Sequence, residues 1–264
     1  MGNLFPAHGP KAMRFLLFLL LAPLLTVRAE TTHDPLAGAP EPLREAVRKA
    51  GADLGRWAYT MHTHTRDRKG RVTEDTVARF DPSQHYDVQW TLLTKEGRPA
   101  TESEIRQHRR QRAKLTKNRK TLGELLELNR AVLVPDALDA PGILTYAVPM
   151  SREGNDRFPV DKVEVLIRVR AEQQVLEREE LKVLEPIRAM LVAKLKSAGV
   201  RMDFTPVHPD HGPALTRIRA DLGAAVAFMP VEQHTEQTRT DFKRVTPYDE
   251  RFQVRIGPLK AIDF

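Results

Sequence analysis

The 264-residue chain contains no cysteine. That absence removes disulfides, thiolate metal ligands and thiol nucleophiles in one step, and it excludes a lipoprotein, whose lipid is attached to a cysteine at the mature N-terminus. Aromatic residues are scarce at 6%, with two Trp and four Tyr, so each one found in a strand carries weight in locating the core. A Gly-x-Ser-x-Gly elbow and a phosphate-cradling glycine loop are also missing. Carboxylate pairs such as Glu179-Glu180 stand beside Arg178 and Lys182 in a charged segment and read as surface patterning. The chain is therefore not read as an enzyme, and no cofactor is implied. The apolar run from Phe15 to Leu25 is interrupted by Pro23 and falls short of the about 20 residues that a membrane-spanning helix needs.

What precedes and follows that run gives it a meaning. Lys11 and Arg14 come before it, and Val27-Arg28-Ala29 offers small residues ahead of Glu30, the order of an export signal. Residues 1–29 are predicted to be a cleaved signal peptide and 30–264 a single domain, since no Gly/Ser- or Pro-rich linker divides the interior. The predicted destination is the periplasm, with secretion as the alternative. It is the same whether translation starts at Met1 or Met13.

Charge is concentrated rather than spread. The chain has 42 basic and 35 acidic residues, a net +7. Residues 1–29 hold three cations and no acid, which leaves +4 for the remainder. Eight cations lie within 106–120 alone: Arg106, Arg109, Arg110, Arg112, Lys114, Lys117, Arg119 and Lys120. In an exported protein such a run addresses an anionic membrane surface or an acidic partner protein, or it is a solvated face; nucleic acid is not an expected partner. Thr101 and Glu104 have capping-box spacing, so the run is predicted to start on a helix within a basic insertion at about 101–120.

Elsewhere the hydrophobic period is mostly two. After a short amphipathic helix over 41–54, Trp57, Tyr59 and Met61 alternate with Ala58, Thr60 and His62, and Tyr86, Val88, Trp90 and Leu92 alternate with Asp87, Gln89 and Thr91. Val72–Phe80 reads as a strand between them, set off by Asp67-Arg68-Lys69-Gly70 and Asp81-Pro82-Ser83. Strands are predicted over Ile143–Val148, 163–169, 175–184, 200–207, 215–220, 224–231 and 235–245, with Gly223 as a break. Pro186 and Gly199 bracket Ile187, Met190, Leu191 and Leu195, a predicted helix. Leu122, Leu125, Leu126 and Leu128 predict a turn docking the insertion on the body. About ten strands and three or four helices give an α+β fold with a long antiparallel sheet that curls.

Phe80-Asp81-Pro82, Trp90-Thr91-Leu92-Leu93, Gly97-Arg98-Pro99 and Thr240-Asp241-Phe242-Lys243-Arg244-Val245 together resemble the outer-membrane lipoprotein carrier (LolA-like) superfamily of periplasmic proteins over about Trp57 to Val245. The resemblance implies an unclosed β-barrel wrapped around a few helices, with an apolar concave face and a lipid or lipoprotein cargo. The arginine and loop pattern of a dedicated lipoprotein carrier is not placed in this chain, so the fold is implied more directly than the cargo.

The residues expected to face an apolar or amphiphilic ligand are Trp57, Tyr59, Met61, Tyr86, Val88 and Trp90; the same alternation serves equally as a filled core. The residues expected to touch an anionic surface are Arg106, Arg109, Arg110, Arg112, Lys114 and Lys117. His62 and His64 share one side of a strand, and His208 and His211 share a turn. A wet outer face accounts for them more simply than a metal, so no metal is predicted. The alternative function is an envelope interaction or sensor module without a bound ligand.

Overall fold

The computed structural model describes residues 36–116, 125–135, 141–152, 159–190, 193–226 and 229–251; the predicted signal peptide lies outside them. Twelve strands occur among these residues: β1 (Trp57–Asp67), β2 (Val72–Phe80), β3 (Trp90–Lys95), β4 (Arg98–Pro99), β5 (Val132–Leu133), β6 (Ile143–Ala147), β7 (Val163–Arg170), β8 (Val175–Val183), β9 (Ile187–Met190), β10 (Ala193–Thr205), β11 (Ala214–Val226) and β12 (Met229–Arg244). The helices are α1 (Glu41–Leu54), α2 (Glu102–Thr116) and the single turn α3 (Tyr248–Arg251).

The strands make one antiparallel sheet in the order β4-β3-β2-β1-β12-β11-β10-β8-β7-β6-β5, with β9 alongside β10. Its end strands do not pair with each other, so the architecture is an α+β unclosed barrel. Turn chemistry sets the register at the start. Asp67 accepts from the backbone N–H of Lys69 and Arg71 at 2.8 and 3.0 Å, and Gly70 takes the positive φ of 75° that closes the β1–β2 hairpin.

Directly paired residues share a face, and the register joins one row across the sheet: Tyr146, Ile167, Glu179, Met202, Ile218, Gln237 and Thr63. Met61 lies two residues along β1 from Thr63 and so points the same way. Both apolar clusters therefore occupy one inner face. In the larger cluster Leu43, Ala46, Val47 and Ala50 of α1 meet Val165, Ile167, Leu181, Val200, Met202 and Leu222. The smaller gathers Trp57, Tyr59, Met61, Ala78, Phe80, Trp90 and Leu92, with Ile105 of α2 and Phe242 packed against it. Between them runs a buried polar strip of Thr63, Thr65, Gln233 and Thr235, in which the two hydroxyls of Thr65 and Thr235 lie 3.1 Å apart.

Four expectations are corrected. The described residues of 187–199 are not a helix but β9 and the first half of β10. There Lys194, Leu195 and Lys196 alternate exposed and buried, and cross-strand pairing with β11 outweighs the local helical spacing. Tyr86 and Val88 do not belong to a strand; they form a 3₁₀ turn, which the His85 ring caps by accepting from Asp87 N–H, and β3 begins at Trp90. Gly223 does not break the chain. β11 runs through it, paired with Ser197 and Glu232, because a Cβ there would meet Ser197 Oγ at 2.5 Å and glycine leaves that space free. Glu179 is not a surface residue but a core one.

Candidate ligand-binding face

Four of the six residues expected around a ligand come together. Trp57, Tyr59, Met61 and Trp90 are all buried. Phe80 lies between two of them, its ring 5.1 Å from Tyr59 and 4.8 Å from Trp90, and Phe242 stands edge-on to Trp57 at 6.2 Å. Guanidinium groups roof the cluster, Arg112 over Trp90 and Arg239 over Tyr59, each 4.6 Å from the ring centroid. This half of the inner face is filled by its own side chains. Tyr86 and Val88 do not join it. Both are exposed, and Tyr86 stands against the Tyr248 ring at 5.6 Å while its hydroxyl donates to Asp249.

The basic helix divides into two faces. Its start is the predicted capping box: Glu104 Oε2 accepts from Thr101 N–H and Oγ1–H at 3.0 Å each, and Thr101 Oγ1 accepts from Glu104 N–H at 3.4 Å. Lys95 and Arg98 also donate to Glu104, and the Arg98 guanidinium above all holds that carboxyl well below the usual carboxylate range. Arg109 turns inward, donating to Trp90 O at 3.2 Å and Thr91 Oγ1 at 3.4 Å, next to the Arg112 stack. His108 is pressed edge-on to Trp90 at 6.1 Å; burial first and the Arg112 charge second push its imidazole down to about 4. Arg106 and Arg110 face outward and, with Ser103, Gln107 and Gln111, line a shallow depression of about 220 Å³. The side chain of Lys114 and all of Lys117, Arg119 and Lys120 lie outside the described residues.

On the outer face His62 Nε2 pairs with Asp75 at 2.7 Å, and Arg66 donates to His64 Nε2 at 2.9 Å. One ring nitrogen of each is thus engaged within the sheet. Among the described residues no group of three or more His, Asp or Glu is disposed to hold a metal, and no helix is long and apolar enough to cross a membrane.

Sequence reasoning missed the carboxyl sealed into the larger cluster. Glu179 is 2% exposed, and burial pushes its carboxyl up to about 8. A signal existed: Glu179, Leu181 and Val183 follow the period of two that marks a buried strand face. A register shift opposite Arg168 and Val169 brings Leu176 onto the same side.

The inner face, its covering helices and its unpaired sheet edges define an open-barrel α+β protein. Neither a family model nor a curated protein matches the sequence. Among solved structures it is similar to a LolA superfamily protein from Nitrosomonas europaea, at 12% identity and a TM-score of 0.35 over 83% of this chain and 98% of that one.

Proposed function

We propose that this is an exported binding protein that holds an apolar or amphiphilic ligand, a lipid tail or an acylated segment of another protein, against the inner face beneath α1. The supporting observation is the construction of that region. Four neighbouring strands, β7, β8, β10 and β11, present an apolar face, and a single 14-residue helix covers it with short side chains, Ala46 and Ala50 among them. Polar contacts at the rim hold the helix: Asp53 accepts from Gly212 N–H at 3.0 Å and Arg244 at 2.5 Å, and Lys49 donates to Gln173 O at 2.7 Å. A tail inserted there gains about 0.8 kcal/mol per buried methylene, which offsets the loss of shallow alanine contacts. Export rests on the charged, apolar and small-residue order of residues 1–29.

Two measurements test this reading. Mass spectrometry of protein purified natively from the periplasmic fraction should find co-purified lipid and an N-terminus at Glu30, and the delipidated protein should take up a fluorescent fatty acid. Protein that carries no lipid and leaves the probe's emission unchanged sinks the proposal. The filled aromatic half favours a second reading, an interaction module without ligand that uses the outward pair Arg106 and Arg110. Under it, Arg106→Glu with Arg110→Glu abolishes binding to anionic vesicles or to an acidic partner, while the fatty-acid assay is silent for both forms.

A further inference from the structure

The inner face carries one carboxyl that no described residue answers. Neither Oε1 nor Oε2 of Glu179 has a hydrogen-bond partner among the described residues. Every element packed on its strand turns apolar side chains toward that face: Val165 and Ile167 from β7, Val200 and Met202 from β10, and Leu43, Ala46, Val47 and Ala50 from α1. The charged groups of α1 lie elsewhere: Glu41 is exposed, Arg44 and Arg48 pair with Glu45, Lys49 with Gln173, and Asp53 with Gly212 and Arg244. Along the inner row the nearest titratable side chain is Tyr146, with Ile167 between.

We propose that Glu179 is the recognition point for an amphiphilic amine, whose alkyl tail lies between α1 and the inner face of β7, β8 and β10 while its ammonium group rests on the Glu179 carboxylate. This deepens the binding reading above and depends on it. The ligand class follows from what the site lacks. A carboxylate offers two acceptor oxygens and no donor, and the apolar side chains around it supply none. The complement is a donor-rich, positively charged head on an apolar body. A fatty acid is accommodated only as the neutral acid beside a neutral Glu179 and gains no ion pair, and an alcohol brings one donor for two oxygens.

The proton balance makes the idea measurable. At neutral pH burial keeps Glu179 protonated. When an alkylammonium ion enters, the Glu179 O–H bond breaks, the proton leaves to solvent, and the ammonium keeps its own three. The site exchanges a neutral acid for a neutral ion pair.

Calorimetry with dodecylamine and dodecanol, in buffers of different ionisation heat, tests this on the mature protein and on Glu179→Leu. The expected result is about one proton released per dodecylamine bound near pH 6.5 and almost none near pH 9, where the carboxyl has already ionised. Glu179→Leu should weaken dodecylamine binding about tenfold to a hundredfold, the loss of a charge-assisted hydrogen bond, and leave dodecanol binding within about twofold. Equal affinity for both probes, with no proton release and no effect of Glu179→Leu, overturns the amine assignment and leaves the apolar site standing. If neither probe binds, the binding reading falls and takes this inference with it.

Discussion

Replacing Glu179 by Gln keeps the shape of the side chain and removes its ability to ionise, which isolates the most consequential charge in the core. In the unfolded chain this carboxyl titrates near 4.5; in the folded protein burial raises it to about 8. Between those values the unfolded state has released a proton that the folded state retains, so stability is fully present below the lower value and is lost as pH rises through the upper one. At about 1.4 kcal/mol per pH unit the interval amounts to about 5 kcal/mol. That is a large part of the about 5–15 kcal/mol that holds a typical domain together. Urea unfolding of the wild type and Glu179→Gln, at about pH 5 and about pH 8.5, reads this directly. The advantage of the variant should grow by about 4 kcal/mol between the two conditions. Other titrating groups are common to both proteins and cancel in the difference. If the two proteins lose or gain stability in parallel across that range, the carboxyl is not confined in an apolar core and the reasoning fails.

The remaining predictions concern the helices. An NMR titration should find His108 with a midpoint near 4, well below the ordinary imidazole value of 6.5; because its folded value is depressed, about 3 kcal/mol of stability present above 6.5 is lost as pH falls through 4, and His108→Leu should remove that acid sensitivity. Arg109→Ala should cost about 1–2 kcal/mol in urea unfolding, since it strips two contacts from β3. Arg106→Ala and Arg110→Ala should stay within about 0.5 kcal/mol, because these side chains face outward. Leu43→Ala opens a void under α1 and should destabilise by about 2–5 kcal/mol, with faster amide exchange confined to that helix at mild denaturant.

The turns and strand faces were legible where local chemistry and long-range packing agree. The Asp67–Gly70 turn, the Thr101/Glu104 cap and the alternation of Trp57, Tyr59 and Met61 each needed only their own neighbours to be read. Segments whose local signal opposes the final pairing were misread. Ile187, Met190, Leu191 and Leu195 are spaced for a helix, yet β8 and β11 leave a pairing site that residues 193–205 fill. Tyr86 and Val88 keep the strand period, but the turn from Asp81 onward folds them into a 3₁₀ turn before β3 can begin.

The sequence alone determined the antiparallel, hairpin-built character of the chain and the segment in which eight of its 42 cations cluster, and the export signal expected at its start is read from sequence only. These are properties of spacing along a strand and of charge along a run, which no distant contact alters. Only the tertiary structure decided which cations face water and that Glu179 is sealed beneath α1. Both outcomes depend on what lies across the sheet, a helix laid on β3 in one case and on β8 in the other. A side chain's solvent is set by neighbours far away in sequence.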